Sequence, residues 1–352
     1  MGRDLSLSVA ISKMNSILIY MNKFERIKAA LLGLPVDHVP ASFWVHFPPE
    51  LRNGHAMARA HIDFYRQTDV DLLKVMNDNP YCLVGIDQVY TPADWRKLRP
   101  APLSAQPYQD YLDGLKEIMD TLGEEAPVVV TIFNPFAVAN DNHTGRLDCS
   151  DVDFTFITEH LREDARSTTQ GFAMIAESLA VFSQACIEAG AAGIFFSANG
   201  GERNRFTSEQ FSAWIEPFDR IVLQAADQAG GTCNILHICG KEQRLESYVD
   251  YPAQVVNWAP QLDNPSLQEG KKLFKQAILG GVDQRGVITT GPRQAIEAEV
   301  HSVLETIGLQ HFILGPGCAV IGSKSTEHFV WAREAAIRSS KPRSESSQSS
   351  IN

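Results

Sequence analysis

Three observations predict an α/β fold, a single (β/α)8 TIM barrel. Short β-branched or apolar runs alternate with longer amphipathic stretches from Phe24 to Arg338, the pattern of a parallel sheet with crossover helices. About eight such units follow one another with no Pro/Gly/Ser-rich linker between them, which suits one barrel better than two domains. A doubly wound sheet alternates in the same way, but no glycine-rich phosphate loop follows the first strand run.

The predicted strands are 41–45, 72–76, 128–133, 193–197, 234–237, 255–258, 277–282 and 312–314. Helix boundaries carry punctuation: Thr207 and Ser208 open a run to Ala229 with Gly230 behind it, and Pro292 opens a run that Gly308 closes. Further helices are predicted over 24–32, 153–189 and 326–338. Residues 1–23 form a loose N-terminal extension, too short and too polar to span a bilayer. Gly2 and Ser6 fit a myristoylation pattern, but one acyl chain makes no stable anchor. Residues 339–352 hold seven serines and nothing to bury, so a disordered tail is predicted.

With 31 Lys+Arg against 42 Asp+Glu, the 352-residue chain has a net charge of −11. It shows no concentrated basic patch, which argues against nucleic acid or a membrane surface as partner. Six sparse, irregularly spaced cysteines point to a reducing compartment, so the expected location is cytoplasmic.

The chemistry concentrates at strand ends. In Asn234-Ile-Leu-His237-Ile-Cys239-Gly240 the imidazole and thiol are two residues apart and share a face at the end of the strand. Leu314-Gly-Pro-Gly-Cys318 places another thiol just beyond the last strand. In a barrel these ends converge on one mouth, and one imidazole with two thiolates makes a zinc site with an open fourth position. Taken singly, each residue reads as a core histidine or a small buried hydrophobe; their joint placement favours metal. Cys82, Cys149, Cys186 and Cys233 have no such partners and read as structural. Asp78 and His46, after the second and first strands, are candidate acid/base groups, with loop initiation and strand termination as the bland alternatives. Asn134, Phe136, Ser197, Asn199, Asn257 and Trp258 are candidate substrate-binding residues at other strand ends. Glu202 adds a carboxylate to the Asn199 loop, and Arg203, Arg205 and Lys241 could hold an anionic tail or be solvated surface charges.

These motifs resemble the uroporphyrinogen decarboxylase superfamily over nearly the whole span from Phe24 to Arg338. The resemblance is carried by Arg26-Ile-Lys-Ala-Ala-Leu-Leu-Gly-Leu-Pro-Val-Asp37, by Phe195-Phe-Ser197-Ala-Asn-Gly200-Gly201 with Phe211 and Pro217-Phe218, and by Ile235-Leu-His237-Ile-Cys239-Gly240 with Val256-Asn257-Trp258. It implies a distorted (β/α)8 barrel with a deep cleft. Within the superfamily, the His-x-Cys pair and distant Cys are similar to the zinc-dependent branch of methylcobalamin:coenzyme M and related corrinoid methyltransferases. That implies His237, Cys239 and Cys318 as zinc ligands, a small-molecule thiol as acceptor, and a corrinoid such as methylcobalamin, delivered by a corrinoid protein, as methyl donor. Asp78 stands where the decarboxylases keep their catalytic aspartate. The departures are that Trp44-Val-His46-Phe-Pro-Pro49 lacks the decarboxylases' arginines, that Cys318 replaces a histidine, and that Asn257 stands where some relatives supply a carboxylate as fourth ligand. The alternatives are a decarboxylase-like lyase and a zinc- or thiol-binding barrel with other carbon–sulfur chemistry.

Overall fold

The computed structural model describes residues 20–144, 152–322 and 325–340. Most of the predicted extension and tail, with Gly2, Ser6 and Cys149, therefore lies outside the described residues. Seven parallel strands form one curled sheet in sequence order: β1 (Leu73–Val75), β2 (Val128–Phe133), β3 (Gly193–Ala198), β4 (Ile235–Ile238), β5 (Val255–Trp258), β6 (Ala277–Val282) and β7 (Phe312–Pro316). Helices cover its outer surface, among them α1 (Lys23–Leu31), α2 (Gly54–Thr68), α3 (Gln106–Leu122), α4 (Pro135–Thr144) and α5 (Thr155–Glu188). There follow α6 (Ser208–Trp214), α7 (Glu216–Gln228), α8 (Leu267–Leu273), α9 (Val287–Thr290), α10 (Arg293–Ile307) and α11 (Glu327–Ser339). The architecture is TIM-barrel-like. Among the described residues α5 alone is long and apolar enough to cross a membrane, and 56% of its most apolar window is buried inside the protein.

Two expectations need correction. The run predicted from Thr207 to Ala229 is two helices, because Pro217 has no N–H to give to the Ala213 carbonyl and its ring crowds that carbonyl, and the chain breaks at Ile215. The predicted first strand, 41–45, is not a strand, and the barrel is not fully closed. That segment lies between β7 and β1 but makes only the isolated bridges Ala41 to Leu314 and Val45 to Val320. Pro40 has no N–H to give to the ladder. Side chains occupy further ladder positions: the Ala41 N–H donates to the Asp71 carboxylate at 2.8 Å, and the Ser42 hydroxyl donates to the Leu72 carbonyl at 2.9 Å.

Alternation along the strands divides the core. Leu72, Val129, Phe195, Ile235, Val255, Ala277, Leu279 and Ile313 point into the barrel, whereas Val130, Phe196, Leu236, Ile238, Val256 and Ile278 pack under the helices. His237 thus shares the inward face of β4 with Ile235. Parallel register aligns Phe133 with Ser197, Ser197 with His237 and His237 with Asn257.

Beneath this barrel, the fully buried Asp71 carboxylate takes the Arg26 guanidinium at 2.6 Å, and Arg26 is further held by Asp37 at 2.7 Å. Burial alone would raise the Asp71 pKa, but His38, Arg26 and the Ala41 N–H outweigh it and hold the carboxyl below its ordinary value. A depressed folded-state pKa stabilises the fold above the unfolded value of 3.8, and that stability is lost as pH falls through the folded value. Asp71→Asn should therefore lower stability by about 3 kcal/mol, the scale of breaking a buried ion pair. Urea denaturation at neutral pH checks this, and the difference between variant and wild type should shrink on acidification below about pH 4.

Candidate metal centre

Three chain segments bring the site together at the C-terminal ends of the strands. His237 comes from β4. Cys239 follows two residues later, its N–H donating to the Ala198 carbonyl at 2.9 Å. Gly240 then turns the chain away with φ of +110°, where a Cβ would lie 2.8 Å from Gln243 Nε2. Cys318 arrives on the loop after β7, which approaches β5 so closely that a Cβ on Gly317 would sit 2.6 Å from Ala259 Cα. The ligand atoms of His237, Cys239 and Cys318 all lie within 4.8 Å of one another. His237 and Cys239 are buried and Cys318 is half-buried.

Asn257 sets the imidazole. Its amide nitrogen donates to the Leu279 carbonyl at 2.8 Å and the Pro316 carbonyl at 3.1 Å, which turns its Oδ1 toward His237 Nδ1 at 2.5 Å. Nδ1 must then carry the proton and donate, leaving Nε2 with the lone pair that a metal needs. The thiols also fit a cation. The Cys239 side chain hydrogen-bonded to it, together with burial, pushes the Cys318 thiol up to about 12, because a second thiolate beside the first is unfavourable until a positive charge enters. An imidazole with its acceptor nitrogen free and two adjacent sulfurs form a soft donor set for zinc with room for a fourth ligand.

All three residues border an outer cleft, and His237 and Cys318 border an inner chamber as well. The outer cleft, about 350 Å³, is lined by Phe154, Asn199, Glu202, Arg205, Lys241, Gln284 and Arg285 among others. Asn199 Oδ1 and Gln284 Oε1 are buried there without a hydrogen-bond partner. The inner chamber, about 30 Å³, is lined by Trp44, His46, Lys74, Met76, Phe195 and Ser197 together with His237 and Cys318.

The other residues singled out in the sequence fall into groups. His46 lines the inner chamber and Asp78 stands behind it, with the imidazole Nδ1 2.9 and 3.0 Å from the two carboxylate oxygens. Burial would raise the Asp78 pKa, but the His46 hydrogen bond, Arg52 and Lys74 hold it below the ordinary value. Ser197 lines the chamber and Asn199 the cleft, whereas Asn257 sits behind His237, off the wall of either space. Asn134 is fully buried, donating to the Asn199 carbonyl and to Asp219, each at 3.0 Å. Phe136 stacks on Phe154 with ring centres 5.1 Å apart. Trp258 points outward beneath the helices, its indole N–H donating to the Pro265 carbonyl at 2.8 Å. Arg205 pairs with Glu202 inside the cleft, and Arg203 pairs with Glu246 at the surface. Of the remaining thiols, Cys186 and Cys233 are buried and Cys82 is half-buried. The sequence reading missed Lys74, whose signal is a charge in the middle of the apolar run Leu72-Leu-Lys-Val-Met76, and Gln284 and Arg285, which carry no signal beyond following a strand.

The comparisons agree with this architecture. The chain superposes on a methyltransferase from Methanosarcina mazei with a TM-score of 0.70 and 19% identity, covering 91% of this chain and 99% of that one. A B12-independent methionine synthase from Shewanella sp. W3-18-1, in complex with selenomethionine, matches with a TM-score of 0.56 and 12% identity over 86% of this chain and 97% of that one. At these identities the likeness shows the fold. No curated protein sequence matches the chain. Residues 83–338 match the family model for uroporphyrinogen decarboxylase (URO-D), and with most of its length so matched the chain belongs to that family.

Proposed function

We propose that this protein is a zinc-dependent methyltransferase that moves a methyl group, most simply from a corrinoid, onto the sulfur of a small thiol. The observation that carries the reading is the convergence of His237, Cys239 and Cys318, with His237 Nε2 freed by Asn257, on the border of a cleft. The structural neighbours that are a methyltransferase and a methionine synthase support it. Zinc held by the three residues would keep the substrate sulfur deprotonated and nucleophilic.

The chain's own groups have separable tasks. Asp78 accepts a hydrogen bond from His46 Nδ1–H, which leaves Nε2, on a residue lining the inner chamber, as the acceptor of the proton that the thiol loses. In the outer cleft Lys241, Arg285 and the Arg205–Glu202 pair can orient a polar substrate tail. The unpartnered amide oxygens of Asn199 and Gln284 accept from any N–H or O–H it carries. With a corrinoid as donor, the sulfur would attack its methyl carbon, and the electron pair of the carbon–cobalt bond would stay with the donor. We infer a cytoplasmic enzyme whose partners are a small thiol and a corrinoid protein.

Elemental analysis should find about one zinc per chain. Cys239→Ala should lose most of it, because two remaining ligands hold zinc far more weakly than three; near-stoichiometric zinc in that variant would refute the ligand set. Asn257→Leu keeps the three ligands but releases the imidazole, so zinc affinity in chelator competition should fall about 10- to 100-fold. The same change orphans the Leu279 and Pro316 carbonyls and should cost about 1–3 kcal/mol of stability. Uroporphyrinogen should not be decarboxylated. The segment around His46 lacks the arginines that several substrate carboxylates require, and its nearest arginine, Arg52, donates to the Phe47 carbonyl at 2.7 Å. Product chromatography showing stepwise loss of carboxyl groups would overturn this.

A further inference from the structure

The two sulfurs of the candidate metal centre are also neighbours of each other. The Sγ atoms of Cys239 and Cys318 lie within 4.8 Å of one another, and the two side chains are hydrogen-bonded. Both residues border the outer cleft of about 350 Å³, through which a small solute reaches them. The other described thiols are placed differently. Cys186 is fully buried in the core under the helices, and Cys233 is buried at the entry to β4. Cys82 donates to the carbonyl of its own neighbour Leu83 at 3.7 Å. None of these three borders the cleft or the inner chamber.

Two sulfurs this close have a second stable arrangement besides sharing a cation, a covalent bond of about 2.05 Å. Cys239 is held at the end of β4 by its N–H, whereas Cys318 lies past the end of β7 and is half-buried, so the closing movement falls to Cys318. The bridge would use up both thiolates and leave His237 as the one remaining donor of the set. Disulfide and metal therefore exclude each other. Asn257 holds the imidazole through its own two carbonyl contacts, which do not depend on the sulfurs, so reduction of the bridge restores the whole set. In a reducing compartment such bridges are transient and redox-sensing.

We propose that Cys239 and Cys318 are a reversible redox pair, closed into a disulfide by a peroxide when the site is unloaded and unable to take metal until reduced. One sulfur takes an oxygen from hydrogen peroxide as the O–O bond breaks, giving a sulfenic acid and water. The other sulfur then displaces that oxygen as a second water and forms the S–S bond. Two electrons pass from the sulfurs to the peroxide, and the two thiol protons leave in the water. A dithiol reductant returns both electrons and both protons. This assignment rests on the metal reading above and adds regulation of the same site to it.

The test uses the full-length protein stripped of metal by chelation, with and without an equivalent of zinc restored, and exposed to hydrogen peroxide. Peptide mass spectrometry of the stripped protein should find the peptide carrying Cys239 joined to the one carrying Cys318, and the whole chain lighter by two hydrogen atoms. Dithiothreitol should return both thiols together with the capacity to bind zinc. Restored zinc should slow the bridge by at least about tenfold, because only the small unloaded fraction presents two free sulfurs. Cys318→Ser has no second thiol to intercept the sulfenic acid and should accumulate sulfinic acid at Cys239 instead. Sulfinic acid in the stripped wild type with no joined peptide, or a bridge that forms as fast with zinc bound, overturns the redox pair; full zinc binding by the reduced protein then leaves the ligand set standing. Failure of the reduced wild type to bind zinc overturns the metal reading and its exclusion by the disulfide together.

Discussion

One buried carboxylate closes this barrel as far as it closes. Asp71 ties the segment before the sheet to β1 through its own N–H, which donates to the Ala41 carbonyl at 2.8 Å, and through its carboxylate, which takes the Ala41 N–H. Its other oxygen is held by Arg26, and Arg26 by Asp37. Everything that this segment brings to the interior, Trp44 in the aromatic wall and His46 in the chamber, depends on that attachment. An uncompensated charge at this depth would be expensive, so Arg26, Asp37 and Asp71 stand or fall together.

From that base the site is assembled by strand ends and by contacts that restrict each donor to one state. Register alone puts Ser197, His237 and Asn257 in a row across three strands. Asn257 is fixed by two carbonyls, and because its amide cannot turn, the imidazole beside it cannot choose the other tautomer. Asp78 fixes His46 by the same logic on the opposite wall. The buried polar groups of this mouth orient one another.

Much of this was legible in the sequence, and what was not has identifiable causes. The strand–helix alternation placed the seven strands, and the period-two reading of His237 and Cys239 matches their common border on the cleft. The seam at 41–45 was misread because an apolar β-branched run looks the same whether its partners are strands or a carboxylate and a hydroxyl. Trp258 closes its strand as expected, but a side chain one residue out of phase with the inward row faces the helices. Asn257 was placed at the right strand end but as a wall residue, since nothing in a sequence tells an asparagine that touches a ligand from one that touches a histidine. Lys74 was visible as a charge in an apolar strand; its meaning required knowing which face the strand turns inward.

The incomplete seam has a mechanical consequence. Between β7 and β1 the segment 41–45 is joined by two isolated bridges on the β7 side and by the Asp71 N–H and a few side-chain contacts on the β1 side, whereas β3, β4 and β5 are joined by continuous ladders. Local opening takes the path that breaks the fewest hydrogen bonds, so the wall that yields first is the one carrying Trp44 and His46. The side of the barrel that holds His237 and Cys239 is tied by those ladders, whereas Cys318 lies two residues before the Val320 bridge. The three residues therefore straddle a firmly laddered side and a loosely joined one, and opening of the seam would draw one sulfur away from the other two donors.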